Sequence, residues 1–165
     1  MFFGCIRKLA ALLMLSVAVF LASCALFQTT SAPAGMGREV VDGKFAFIVT
    51  KVHTSPTFGH TRAQGAYVIV SMAVRNVGTE TQMFEWAAQR LKDRTGREYS
   101  ASLMVPPLFG DVVNSIDPGL QVSVKLAFDM PPDAKPTQIV LHDSLSSHGT
   151  PVNLTQPPSP PAPRG

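Results

Sequence analysis

Few groups in this chain of 165 residues have the means to do chemistry. The thiol of Cys24 closes a long uncharged run, and the one other cysteine, Cys5, stands upstream near the start of that segment. His142, Asp143 and Ser144 are consecutive and supply the residue types of a Ser/His/Asp triad. A working triad converges from separate segments, however, and neighbours along a strand point to opposite faces. There is no G-x-S-x-G turn, no phosphate-cradling glycine loop and no pair of carboxylates in a shared context, so an enzyme is not expected. His53, His60, His142 and His148 lack ligand spacing. Met36, Met72, Met83, Met104 and Met130 are scattered, whereas copper handling favours clustered soft sulfur. Neither a metal site nor a cofactor is expected.

The elements around Cys24 explain it. Arg7 and Lys8 precede an apolar stretch, Leu9 to Ser23, that is shorter than the roughly 20 residues a helix needs to cross a bilayer. A basic start, a short apolar helix and a small-residue exit mark residues 1–23 as an export signal. Leu21-Ala22-Ser23-Cys24 resembles the lipobox of bacterial lipoproteins. That resemblance implies cleavage between Ser23 and Cys24, a diacylglycerol thioether on Cys24 and a further acyl chain, such as palmitate, on the freed amine. The alternative is ordinary signal cleavage after Ala25. Two or more acyl chains anchor a protein stably where one does not. The expected location is the extracytoplasmic face of the cell membrane.

Processing also changes the charge. The chain carries 14 Lys+Arg against 11 Asp+Glu, and losing Arg7 and Lys8 leaves twelve against eleven. No basic face remains to bind nucleic acid. Losing Cys5 leaves no cysteine pair, so the domain must fold without a disulfide.

After the anchor, residues 24–38 read as a tether of small, polar, proline- and glycine-containing sequence, spanning roughly 20 Å as a flexible chain. Thr29, Thr30 and Ser31 are acceptors for O-glycosylation, the alternative being an unmodified linker. Residues 145–165 read as a disordered tail, because Pro151 to Gly165 holds too few apolar groups and too many prolines to fold. Pro157 to Pro160 fits a PxxP pattern and Asn153-Leu154-Thr155 a glycosylation sequon, although a spacer accounts for both.

Between tether and tail, residues 39–144 follow a period of two. In GLQVSVKLAFDM, Leu120, Val122, Val124, Leu126, Phe128 and Met130 alternate with more polar positions, the pattern of a half-buried strand. Asp117-Pro118-Gly119 starts it with the residues of a type II turn. Val68, Val70, Met72 and Val74 form a second inward row, ended by Asn76 to Gly78. Phe45, Phe47 and Val49 form a third. LKDRTGREYSASL reads as a hairpin turning at Asp93 to Gly96, and TQIVLHD as a last strand. Trp86 and Tyr99 are expected to join the core. The expected class is all-β, an immunoglobulin-like antiparallel β-sandwich with an N-terminal signal helix.

Two connections remain. Ser102 to Ile116 is apolar and broken by Pro106, Pro107 and Gly110, so Met104, Val105, Leu108 and Phe109 either plug one end of the sandwich or form an exposed interaction patch. His53 to Arg62 reads as a polar loop beside it.

GKFAFIVTKV, YVIVSMAVRNVG, LKDRTGREYS, IDPGLQVSVKLAFDMP and IVLHD together resemble a family of bacterial secreted and lipid-anchored proteins with a telokin-like, immunoglobulin-like sandwich. A secreted mycobacterial immunogenic protein shares that fold. The resemblance covers nearly all of Glu39 to Asp143 and implies a fold, with no catalytic residues to carry over. The reading is a lipid-anchored, non-catalytic interaction domain whose partner is an envelope protein, a polysaccharide or a lipid. The alternative is an envelope protein binding a small ligand or metal.

Overall fold

The computed structural model describes residues 32–102, 108–109 and 115–156. The expected signal helix, Ser23, Cys24, most of the tether and the last nine residues lie outside them. In chain order the strands are β1 (Ala34–Gly35), β2 (Glu39–Asp42), β3 (Phe45–Phe58), β4 (Thr61–Asn76), β5 (Gln82–Met83) and β6 (Arg90–Asp93). They continue with β7 (Glu98–Ser100), β8 (Leu108–Phe109), β9 (Ser115–Ile116), β10 (Gln121–Met130), β11 (Pro136–Leu141) and β12 (Thr150–Asn153). One five-stranded sheet runs β1-β12-β11-β6-β7, the other β2-β3-β4-β10-β8, and β5 pairs with β9 alone. The fold is a β-sandwich, antiparallel except where β1 lies parallel to β12.

Apart from Leu120 and the partly buried Val122, the inward rows lie where alternation puts them. Phe45, Phe47, Val49, Val68, Val70, Met72, Val74, Val124, Leu126, Phe128 and Met130 all lie in the core, joined from the facing sheet by Leu91, Ile139, Leu141 and Val152. Trp86 and Tyr99 pack against this cluster without being fully enclosed. Phe84, which no periodicity marks, completes it: its ring stands edge-on to Phe45 at 5.9 Å and lies 6.1 Å from Phe47. Such aromatic contacts add about 0.5–1.5 kcal/mol beyond burial.

Three expectations are corrected. The sandwich is wider than residues 39–144, because β1 and the core residue Met36 fall in the expected tether while β12 falls in the expected tail. Val152 is wholly buried and Leu154 nearly so, since β12 sits between β11 and β1 and cannot be a free end. His53 to Arg62 is no loop: β3 and β4 continue as one long hairpin turning at Gly59 and His60. Gly59 has φ 59°, the positive value a II′ turn requires at its first central position. Leu120 does not join the inward row. It is the last residue of the Asp117–Leu120 turn, with its N–H on the Asp117 carbonyl at 3.1 Å, and its side chain is exposed.

The β3–β4–β10 sheet is also covered in part on its outer face, where Phe58, Tyr67, Ile69 and Ala127 form a second small cluster with Ala63. Register shifts at Val49/Lys51 and Ser55/Thr57 bend the long hairpin. Every member of both clusters lies between Met36 and Leu154, so the compact unit beginning at Pro33 contains its own core. A domain of this size can fold without disulfides.

Candidate functional site: one loop end of the sandwich

At the end where β2, β4 and β11 finish and β3 and β10 begin, the connecting segments are tied to one another. Asp42 and Phe45 close a two-residue turn in which Gly43 has φ 52°. The Asp143 N–H donates to Asp42 Oδ2 at 2.7 Å, and the Lys44 N–H reaches Asp143 Oδ2 at 3.4 Å. A Cβ on Gly43 would collide with that Asp143 carboxylate, so glycine is required there for space as well as for φ. The Val77 N–H donates to the Lys44 carbonyl at 2.9 Å, and the Asn76 N–H to the Leu120 carbonyl at 3.0 Å. Lys44 Nζ reaches Gln82 Oε1 at 3.5 Å, Thr81 Oγ1 donates to Asp117 Oδ1 at 2.6 Å, and Thr150 Oγ1 donates to the Val41 carbonyl at 2.8 Å.

Beneath this rim Asn76 is fully buried and fully satisfied. Its Nδ2 donates to the Glu80 and Ile116 carbonyls at 2.7 and 2.8 Å, and its Oδ1 accepts the Gly78 N–H at 2.8 Å. Gln89 does the same for the other sheet, exchanging bonds of 2.9 Å with the backbone N–H and carbonyl of His142. Together they make the end a fixed platform.

Its surface is unusual. Five large apolar side chains among the described residues are exposed: Val41, Val77, Met83, Leu120 and Leu145, between 40% and 73% accessible. All five stand on the tied segments just described. The same segments carry Asp42, Glu80, Glu85, Asp117 and Asp143 against one lysine, Lys44. Alternation along the sequence puts Leu120 inside, and no periodicity marks the other four. An Asp-Gly pair ahead of an alternating strand was the available signal for the Gly43 turn.

His142, Asp143 and Ser144 do not form a triad. His142 Nδ1 faces the Ser147 carbonyl and hydroxyl at 3.2 Å, Asp143 binds the Lys44 N–H, and the Ser144 hydroxyl lies 3.3 Å from that of Ser146. The histidines converge on no common ion, and among the described residues no three His, Cys, Asp or Glu side chains are grouped for a metal. Met104 and Val105 lie outside the described residues. Leu108 and Phe109 form β8, whose backbone pairs with Lys125 and Val124 of β10.

The opposite end holds the tight hairpin predicted at Asp93 to Gly96. Asp93 is buried, yet its two oxygens accept the N–H and hydroxyl of Thr95, the N–H and Nε of Arg97 and the Tyr99 hydroxyl. Burial alone would raise its pKa; the bonds from Thr95 and Arg97 outweigh that and hold it well below the usual carboxylate range. The unfolded value is near 3.9 and the folded value lies lower, so the ionised form stabilises the fold in full above about pH 4. That contribution is lost as pH falls further towards the folded pKa. Asp93→Asn should therefore lower the thermal midpoint at pH 7, with the gap to wild type narrowing steadily as pH falls from about 4 towards the folded pKa. Thermal melts followed by circular dichroism across that range check this; a gap independent of pH would show that the charge is not what matters.

A concavity of about 590 Å³ lies along the outer face beside Thr61, Arg62, Tyr67, Asp129 and Pro131. The Asp129 carboxylate is already occupied by the Gln64 and Gly65 N–H groups at 2.7 and 3.0 Å.

The fold and this site define a class: a small β-sandwich module whose distinctive surface is a set of rigidly tied loops. The chain belongs to the family described as a domain of unknown function, DUF4352, whose model matches residues 34–152, from the first residue of β1 into β12. No curated protein matches it in sequence. It is similar in fold to the secreted protein MPT63 from Mycobacterium tuberculosis, at TM-score 0.55 and 15% identity over 72% of this chain and 95% of that one. It is likewise similar to the yjhA protein from Bacillus subtilis, at TM-score 0.55 and 14% identity over 73% and 99%. A functionally unknown protein from Listeria monocytogenes gives TM-score 0.52 and 13% identity over 80% and 87%.

Proposed function

We propose that this is a lipid-anchored protein of the bacterial cell envelope whose sandwich is a non-catalytic interaction module. The observation that carries the anchoring is the position of Cys24, which ends the apolar run and stands ten residues ahead of the first strand at Ala34. Cleavage at that cysteine removes none of the described residues. Nine residues, 25–33, would then join lipid to sandwich, a reach of about 30 Å at full extension and shorter than the tether to Arg38 expected from sequence.

Intact-mass measurement on the full chain made in a bacterial host tests this. The mature protein should begin at Cys24 and carry the added mass of diacylglycerol, and Cys24→Ala should abolish that mass. A lipid-free chain beginning at Leu26 would mean ordinary signal cleavage and would overturn the anchor.

Support for an interaction role comes from the exposed apolar residues held on tied loops near one end of the sandwich. Small-ligand binding is the second reading and draws on the concavity beside Arg62 and Tyr67. Ligand sites are typically enclosed and mostly apolar. That concavity is an open groove with a mixed polar and apolar lining, so the first reading is the better supported.

A further inference from the structure

We infer that the loop end carrying Val41, Val77, Met83, Leu120 and Leu145 docks a polypeptide that presents apolar side chains ringed by lysine or arginine. This rests on the reading of the sandwich as an interaction module and is independent of the lipid on Cys24.

Location comes first. The exposed large apolar side chains among the described residues all stand on segments near the ends of β2, β4 and β11, Leu145 at the margin where it also lines a concavity with Arg90, Lys92 and His148. Hydrogen bonds show how close their segments lie. Leu120 stands opposite Asn76 and so next to Val77; Val77 is bonded to Lys44, and Lys44 to Gln82 beside Met83. On the other side, Thr150 holds Val41, while Asp42 holds Asp143 two positions before Leu145.

Rigidity comes next. Buried Asn76 and Gln89 and the Asp42–Asp143 bond hold these loops in place before any partner arrives. A preformed surface loses little conformational freedom on association, which favours binding.

Charge selects the partner. Asp42, Glu80, Glu85, Asp117 and Asp143 stand on the same segments with Lys44, while Arg75 beside them is paired with Glu39 and Arg90 and Lys92 lie only on the Leu145 side. An acidic rim around apolar side chains complements a cationic rim and repels an anionic one. A bilayer rich in anionic lipid is thereby disfavoured, because its surface potential attracts basic segments and not acidic ones.

The test uses the chain from Ala25 to Gly165, whose core is self-contained, labelled for amide NMR. The probes are a short peptide alternating lysine and leucine, its glutamate–leucine counterpart, and phosphatidylglycerol vesicles. The lysine–leucine peptide should saturably shift amides around Asn76–Met83 and Asp117–Gln121. Its affinity should fall about tenfold in Val77→Ser/Leu120→Ser, the loss expected for central contact residues. Both substituted positions are exposed, so the thermal midpoint should hold; if it does not, Glu80→Lys/Asp117→Lys should weaken binding in a folded chain. Peptide binding that ignores both double substitutions overturns the inference. Binding of the glutamate peptide or the vesicles here, in place of the lysine peptide, overturns the partner chemistry while leaving the interaction reading standing. If no probe binds anywhere on the domain, both fall.

Discussion

A chain cut after Ser144 should fail to fold, although its sequence up to that point holds all the long alternating strands. The cut removes β12, which lies between β11 and β1. Val152 and Leu154 leave the core with it, each contributing about 1.5–3 kcal/mol when fully buried. Their loss uncovers Ile139 and Leu141 on β11, both now fully enclosed, and strands β1, whose one strand partner is β12. Domains of this size are stable by only about 5–15 kcal/mol, so the combined loss consumes most of that margin. Ending the chain at Gln156 should leave stability unchanged, because every described core residue is retained. Melting by circular dichroism with both truncations settles the matter. A cooperative transition in the Ser144 chain within a few degrees of the longer one would show that β12 is dispensable.

The second large effect belongs to Asn76. Replacing it with leucine, which keeps the branched four-atom outline with bulkier methyl ends, leaves the Glu80 and Ile116 carbonyls and the Gly78 N–H without their partner beneath the loop end. Each buried group deprived in this way costs about 1–3 kcal/mol, and partial recovery by water brings the expected loss to about 3 kcal/mol. That corresponds to a fall in thermal midpoint of roughly 10–15 °C for a domain of this size. Urea titration should show a lower midpoint with an unchanged slope, since the surface exposed on unfolding stays the same. Faster amide exchange at Gly78 and in the strand holding Ile116 should accompany it. A shift of only a degree or two would mean the loops find other partners and that the platform is softer than its bonds suggest.

The residues that sequence singled out and the residues that hold the molecule together overlap only in part. Asn76-Val77-Gly78 reads as a strand end and Asp93 to Gly96 as a turn, and both are so. The deeper role of Asn76, as a carboxamide anchor for several backbone groups at once, depends on Ile116 forty positions away, whereas the Asp93 carboxylate anchors groups no further off than Tyr99. Gln89 carries no local signal at all, because its partner, the His142 backbone, comes from another strand. His53 to Arg62 reads as a loop, yet the chain absorbs Pro56 next to a register shift and uses Gly59 with His60 as a two-residue turn. The apolar residues of the loop end share no periodicity. Nothing along the chain reveals that five separate segments meet.

What the order of residues determined alone is therefore local: the alternating rows of β3, β4, β10 and β11, the turns at Gly96 and Gly119, and the cysteine that closes the apolar run. Those follow from side-chain period and backbone φ, which a short window contains. The tertiary structure decided which strands are interior, that Thr150–Asn153 among its prolines is one of them, and that the acidic, apolar loops gather at one end. Strand position and surface character arise from pairing between distant segments. β12 is stable only because β11 and β1 supply its hydrogen bonds and cover Val152, and no short window of sequence contains them.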